Sequence, residues 1–270
     1  PIYAYGRAMP EIPAQKGLIV SYEHSVTENT PQGRKSFPIP HWSVGRIRRI
    51  GGDAVKVLVW HRPDAPAEIR AHQEAFVRKA GAACRAHDIT FLLEVLVYPL
   101  PGEDPQAMDA RREELVLESI RPFTDPAYGV DIFKLEPPGP IGGVPDPDGP
   151  QAAALQRAYD RMAAMLPRPW VMLSAGAGAA DFMRSMRYAC RAGAAGYLAG
   201  RAIWADAFTR FPDLDAMERE LATGSRRNLD ALNELTDAAA TPWHAHPAFQ
   251  DGVEADVEEG RFPEGYAGPD

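Results

Sequence analysis

The chain has 270 residues, 45% hydrophobic and 24% charged, which is enough for one large domain with a substantial core. A net charge of −8 argues against a general nucleic-acid footprint, yet leaves room for small anionic substrates, because a local site can be basic inside an acidic protein. No apolar run reaches membrane length and no signal-peptide pattern is read, so the expected setting is the cytoplasm, with Cys84 and Cys190 as reduced structural thiols outside any metal-ligand spacing.

Residues 1–16 are rich in Pro and Tyr, show no period, and read as an extended lead-in. Residues 17–23 predict a first strand, 25–41 a polar loop, and 42–50 a short helix. The apolar run 54–60 predicts the second strand, 66–87 an amphipathic helix, 91–97 the third strand and 106–121 another helix. The fourth strand is 130–136, Val-Asp-Ile-Phe-Lys-Leu-Glu, stopped by two prolines. Segment 137–150 holds six prolines and four glycines, so it is a loop, and loops that long in compact domains are often functional. A helix at 151–166, a fifth strand at 170–176, its helix at 179–192, a sixth strand at 196–201 and one or two closing helices over 213–239 complete the pattern. From Thr241 the chain is rich in Pro, Gly and acids and reads as a surface or disordered tail, giving one domain over 1–240 and a tail over 241–270.

Near-continuously apolar strands alternating with helices are the pattern of parallel strands buried on both faces. The strand starts recur at roughly 40 residues, which suits a (β/α)8 TIM barrel better than a dinucleotide-binding sheet, and no Gly-x-Gly-x-x-Gly follows a strand. Six strands are expected where such a barrel needs eight, and the sixteen residues before the first strand cannot hold two βα units. The expectation is therefore an α/β barrel whose first two βα units lie outside this chain.

Reacting groups in such a barrel sit at the C-terminal ends of the strands. Lys56, Glu94 and Lys134 are charged residues inside otherwise apolar strands on successive predicted strands, which suggests a shared polar pocket. A lysine there is costly unless it is paired or its pKa is lowered, and a neutral amine can attack a carbonyl to form a Schiff base. Glu94 could then move protons, with Lys56 as a like charge that disfavours a second ammonium. The other reading is a structural ion-pair network. Ser174 with Gly176, and Gly200 with Arg201, end the last two strands, where glycine lets an anion approach backbone N–H groups and arginine adds a charged contact. The other reading there is tight turns. Glu23, His24 and His61 fall at or just past strand ends, where they could touch a substrate or serve as loop residues.

Gly-Gly-Asp-Ala-Val-Lys (51–56), Phe-Leu-Leu-Glu (91–94), Asp-Ile-Phe-Lys-Leu-Glu (131–136), Leu-Ser-Ala-Gly (173–176) and Gly-Arg-Ala-Ile-Trp (200–204) together resemble the tagatose-1,6-bisphosphate aldolase family, a class I family that includes sulfofructosephosphate aldolases. The resemblance runs in order from about Gly17 to Trp243. It implies a (β/α)8 barrel that cleaves a ketose phosphate to dihydroxyacetone phosphate and an aldehyde without metal or cofactor. It further implies Lys134 as the Schiff-base lysine, Glu94 as acid/base, Lys56 as a supporting lysine, and Ser174, Gly176, Gly200 and Arg201 as phosphate ligands. Where typical bisphosphate aldolases of the family carry Tyr-Glu-Lys and Tyr-Tyr-Asp, this chain has Tyr22-Glu23-His24 and Trp60-His61-Arg62, so the far end of the substrate, whether phosphate, sulfonate or neither, stays open. The expected partner is a small-molecule sugar phosphate, with no nucleic acid and no membrane, and with a homo-oligomer allowed. Two other readings remain at this point: a non-catalytic sugar-phosphate-binding or regulatory barrel, and a barrel isomerase in which Glu94 and Lys56 shuttle a proton.

Overall fold

In a computed structural model that describes residues 5–252, the apolar runs become strands and the amphipathic runs between them become helices. The chain divides into two units. Among the described residues, the first takes 5–103, Ser119–Phe133 and 249–252, and the second takes Asp104–Glu118 and Lys134–Ala248.

The first unit holds β1 (Ile19–Ser21), a hairpin of β2 (Glu28–Thr30) and β3 (Gly33–Lys35), then β4 (Ala54–Trp60) and β5 (Thr90–Leu96). The sheet order is β1, β4, β5 and then the start of β6 (Ile132–Leu135). β1 pairs parallel with β4 and β4 parallel with β5, with Ser21 level with Lys56 and Leu58 level with Glu94. Val55, Val57, Val59, Phe91 and Leu93 are fully buried, which is why these runs carry no polar alternation. Helix Ala67–Ala86 buries Ile69, Phe76, Val77, Ala80 and Cys84. It packs so closely at Gly81 that a β-carbon there would lie 1.8 Å from the Tyr128 carbonyl oxygen.

The polar segment 25–41, expected as a loop, instead contains the antiparallel hairpin β2–β3. Its strands lack apolar alternation because long-range contacts hold them. The Arg34 N–H donates to the Tyr98 hydroxyl (2.9 Å), and the Arg34 guanidinium lies over the rings of Trp60 and Tyr98. The fully buried Gln73 accepts from the Ser36 N–H (3.1 Å) and donates to the carbonyls of Arg34 and Trp60.

β6 runs out of the first unit and into the second after Phe133. There the order continues through β7 (Trp170–Leu173) to β8 (Tyr197–Leu198), with Met172 level with Tyr197 in a parallel pair. The predicted sixth strand over 196–201 is therefore shorter than expected. Gly200 adopts φ −132°, ψ −79°, and Arg201 is the first residue of helix Arg201–Phe208. The predicted helix 106–121 is two helices, Pro105–Ala110 and Arg112–Ile120. The proline-rich loop keeps no regular structure but is pinned to helix Ala179–Arg191. Asp181 accepts from the N–H groups of Gly143 and Val144, and Arg191 donates to the Pro147 carbonyl. The closing helices are Leu214–Glu220 and Arg226–Ala239, joined by a π-turn.

At the N-terminus, the expected extended lead-in is instead a helical turn at Tyr5–Ala8 followed by a 3-10 turn, while residues 1–4 lie outside the described residues. Of the expected tail, Trp243–Ala245 and Pro247–Phe249 form 3-10 turns, and residues 253–270 lie outside the described residues. Among the described residues, no helix is long and apolar enough to cross a membrane. Cys84 and Cys190 are both buried and unpaired with each other, and burial pushes the Cys84 thiol up to about 12.

Candidate active site

The strand register of the first unit builds a carboxylate–ammonium–carboxylate row. Ser21 is level with Lys56, so Glu23, two residues on, is level with Leu58, and so is Glu94. Alternation puts Glu23, Lys56 and Glu94 on matching faces of three neighbouring strands, with each carboxylate one pleat beyond the lysine. The long Lys56 side chain reaches up between them. Its Nζ donates to Glu23 Oε1 and lies 3.2 Å from Glu94 Oε2. Glu23 and Glu94 are both buried, and Lys56 is 17% exposed. Burial works against the Lys56 charge, but Glu23 and Glu94 together outweigh it and hold the ammonium above its usual value. Burial pushes the Glu23 carboxyl upward, opposed by Lys56. Tyr22 N–H donates to the Lys56 carbonyl at 2.9 Å, and its ring stacks on Phe76, which fixes the direction of Glu23.

The other strand-end candidates of this unit are turned to local tasks. His24 Nδ1 accepts from the Val26 N–H (3.0 Å), and its ring stacks on Phe37. His61 is 1% exposed and meets the Phe123 ring edge-on, with Glu74 Oε1 3.7 Å from Nε2. Burial, helped by the positive charge of Arg70, lowers its pKa to about 4. Arg62, beside it in sequence, is buried and locked in charge-assisted bonds to Glu103 and Asp64 and to the Tyr98 carbonyl.

In the second unit, Lys134 is half-buried on β6 with fully buried Phe133 and Leu135 on either side, so packing of its neighbours holds the strand backbone firmly. Two residues on, Glu136 is buried and ion-paired with Arg112 at 2.6 Å, and Arg112 also reaches Asp109. Arg112 carries no sequence signal for this partnership, because it is 24 residues from Glu136 along the chain.

The ends of β7 and β8 lie side by side. Ser174 is buried, and its carbonyl accepts from the Ala177 N–H (2.8 Å). The backbone then takes left-handed angles at Ala175 (φ 49°) and Gly176 (φ 87°) before helix Ala179–Arg191 begins. Glycine suits that angle, and its bare backbone faces the Arg201 guanidinium, whose atoms lie 3.7–4.0 Å from where a β-carbon would stand. Gly200 caps helix Arg201–Phe208 beneath the Trp204 indole. Arg201 is exposed and has no carboxylate partner among the described residues. The structure thus brings Gly176, Gly200 and Arg201 together with Ser174, and it separately brings Glu23, Lys56 and Glu94 together.

A family model described as DeoC/LacD family aldolase matches residues 3–206. A tagatose 1,6-diphosphate aldolase of Listeria monocytogenes serotype 4a (strain HCC23) is 35% identical over 246 residues, covering 87% of this chain and 73% of the relative. A tagatose 1,6-diphosphate aldolase 1 of Streptococcus mutans serotype c (strain ATCC 700610 / UA159) is 31% identical over 244 residues, covering 84% and 73%. Among solved structures, an archaeal fructose 1,6-bisphosphate aldolase superposes with a TM-score of 0.55 at 16% identity, covering 85% of this chain and 76% of that one, which is a likeness of fold. With the family model spanning most of the chain and the relatives above 30% identity, the protein belongs to the DeoC/LacD family of aldolases.

Proposed function

We propose that the protein is a class I aldolase that cleaves a phosphorylated or sulfonated ketose to dihydroxyacetone phosphate and an aldehyde through a Schiff base on Lys134. The observation that carries this is in the second unit: Lys134 stands on β6, next in the sheet to β7, and the ends of β7 and β8 present Ser174, Gly176, Gly200 and an Arg201 that has no carboxylate partner among the described residues. Strands lie about 5 Å apart, so an anion held at those ends puts the carbon next to it within reach of a lysine one or two strands away. Bare backbone at a helix start and a guanidinium are the groups that suit a phosphate. Two proteins alike in fold are a Schiff-base-forming fructose-1,6-bisphosphate aldolase and an archaeal fructose-1,6-bisphosphate aldolase with its catalytic lysine bound to a carbinolamine intermediate.

In this mechanism the Lys134 amine adds to the ketone carbon and water leaves, forming an iminium. The C3–C4 bond breaks, and its electron pair flows into the iminium to give an enamine, while Glu94 takes the proton of the C4 hydroxyl and the aldehyde departs. Protonation of the enamine and hydrolysis return the amine and release dihydroxyacetone phosphate. The iminium is the electron sink, so the step needs no metal. Lys56 lies 3.2 Å from Glu94 and orients that carboxylate toward the substrate. Glu136 is an unsuitable alternative base because Arg112 neutralises it. We also read 1–240 as one domain contributing six βα units to a (β/α)8 barrel, with 241–270 as a tail, acting in the cytoplasm.

The test is borohydride reduction in the presence of a ketose phosphate panel. A substrate-sized mass addition should localise to Lys134, and Lys134→Met should fold but lose both the adduct and cleavage. Turnover at the wild-type rate in Lys134→Met would sink the Schiff-base mechanism.

A further inference from the structure

Glu23 uses only half of its carboxylate. Oε1 is taken by Lys56, whereas Oε2 is buried and has no hydrogen-bond partner among the described residues. Glu23 is 8% exposed, and its backbone is held by Tyr22, whose N–H donates to the Lys56 carbonyl and whose ring stacks on Phe76. A buried carboxylate oxygen left without a donor costs about 1–3 kcal/mol or more, and such groups in native proteins point to a partner or a task.

We propose that Glu23 is a specificity-determining residue of the aldolase: its Oε2 accepts a hydrogen bond from a hydroxyl on the carbon chain of the ketose, a step that rests on the aldolase assignment above. The chemistry selects the ligand group. A carboxylate oxygen accepts and does not donate, so it repels the phosphate end of a substrate and suits a neutral hydroxyl. The position selects it as well. Glu23 lies beyond the C-terminal end of β1, level with Glu94 across the Lys56 ammonium, so one hydroxylated chain can meet Glu23 while a neighbouring hydroxyl meets Glu94. Lys56, bonded to Oε1, opposes the upward push of burial on the Glu23 carboxyl, and an unprotonated Oε2 is an acceptor. A site built to hydrogen-bond a substrate hydroxyl rejects the analogue that lacks it, because the buried acceptor is then left unpaired.

The experiment compares kcat/KM for the preferred ketose phosphate and for those of its monodeoxy analogues that keep the C4 hydroxyl needed for cleavage, in the wild-type protein and in Glu23→Gln. Glutamine keeps the shape and an acceptor for Lys56, but it places an N–H2 where Oε2 stood. Wild-type protein should lose about 10- to 100-fold in kcat/KM on one deoxy analogue, the worth of a hydrogen bond to a charged group, and Glu23→Gln should lose most of that discrimination while still giving the borohydride adduct at Lys134. The same discrimination in Glu23→Gln as in wild type would overturn the proposal and leave Glu23 as a partner of Lys56 alone. A wild-type protein indifferent to every deoxy analogue would also overturn it, and that arm does not depend on the variant folding. Failure of the aldolase assignment would look different, with no adduct and no cleavage of any ketose phosphate by the wild-type protein.

Discussion

Replacing Arg201 by alanine should raise the Michaelis constant for a ketose phosphate by about 10- to 100-fold while leaving the melting temperature unchanged or slightly raised. The two effects have separate physical sources. Arg201 is the first residue of an eight-residue helix, where a positive charge opposes the helix dipole at a cost of about 0.3–1 kcal/mol. It is exposed and pairs with no carboxylate among the described residues, so truncation leaves neither a cavity nor an orphaned charge. For a protein of this size 1 kcal/mol moves the midpoint by about 2–4 °C, which limits the expected rise to a few degrees. Toward a phosphate the same guanidinium makes a charge-assisted hydrogen bond worth about 1.5–3 kcal/mol, and 1.4 kcal/mol is a factor of about ten. Steady-state kinetics and a thermal melt on the same preparation read both quantities. An unchanged Michaelis constant would remove the anion assignment at Gly176 and Gly200, and a fall in melting temperature of more than about 3 °C would show that the guanidinium supports the fold instead.

Glu94→Gln should slow turnover by about 10²- to 10⁴-fold with the borohydride adduct at Lys134 still detectable, because the amide cannot take the proton of the hydroxyl while the amine is untouched; single-turnover kinetics would expose an unchanged rate, which would reassign the base. His61 should make stability pH-dependent. Its folded pKa is about 4 against 6.5 unfolded, so below pH 6.5 only the unfolded chain takes the proton, and stability falls until pH 4 and is flat below it. The full loss is about 3 kcal/mol, and urea titrations of wild type and His61→Gln with equal slopes across that window would refute it.

Wherever one residue's burial depends mainly on its own segment, the order of residues alone determined the outcome. The run Ala54–Trp60 is the predicted strand to the residue, because valines at alternate positions must be buried whichever neighbours arrive. Helix Ala67–Ala86 follows from its apolar stripe, and the proline-rich 137–150 segment is a loop because proline cannot donate to a helix or ladder. Lysine and glutamate inside apolar strands pointed to Lys56, Glu94 and Lys134 for the same reason, since a charge in such a run demands compensation. What that compensation is belonged to the tertiary structure. Strand register, set by pairing between residues 35 and 36 positions apart, decided that Glu23 and Glu94 share one ammonium and that Glu23 keeps a spare buried oxygen. The hairpin Glu28–Lys35 exists because Tyr98 and Gln73 satisfy its backbone from far along the chain, and local alternation could not announce it. Arg62 and Arg201 are the same residue type, each just past a strand, yet one is buried in charge-assisted bonds to Glu103 and Asp64 and the other is left exposed beside bare glycine backbone. Only folding brings Glu103 to the first and, among the described residues, leaves the second without a carboxylate, because the electrostatics of a side chain are set by what is near it in space, whereas the sequence specifies only what is near it along the chain.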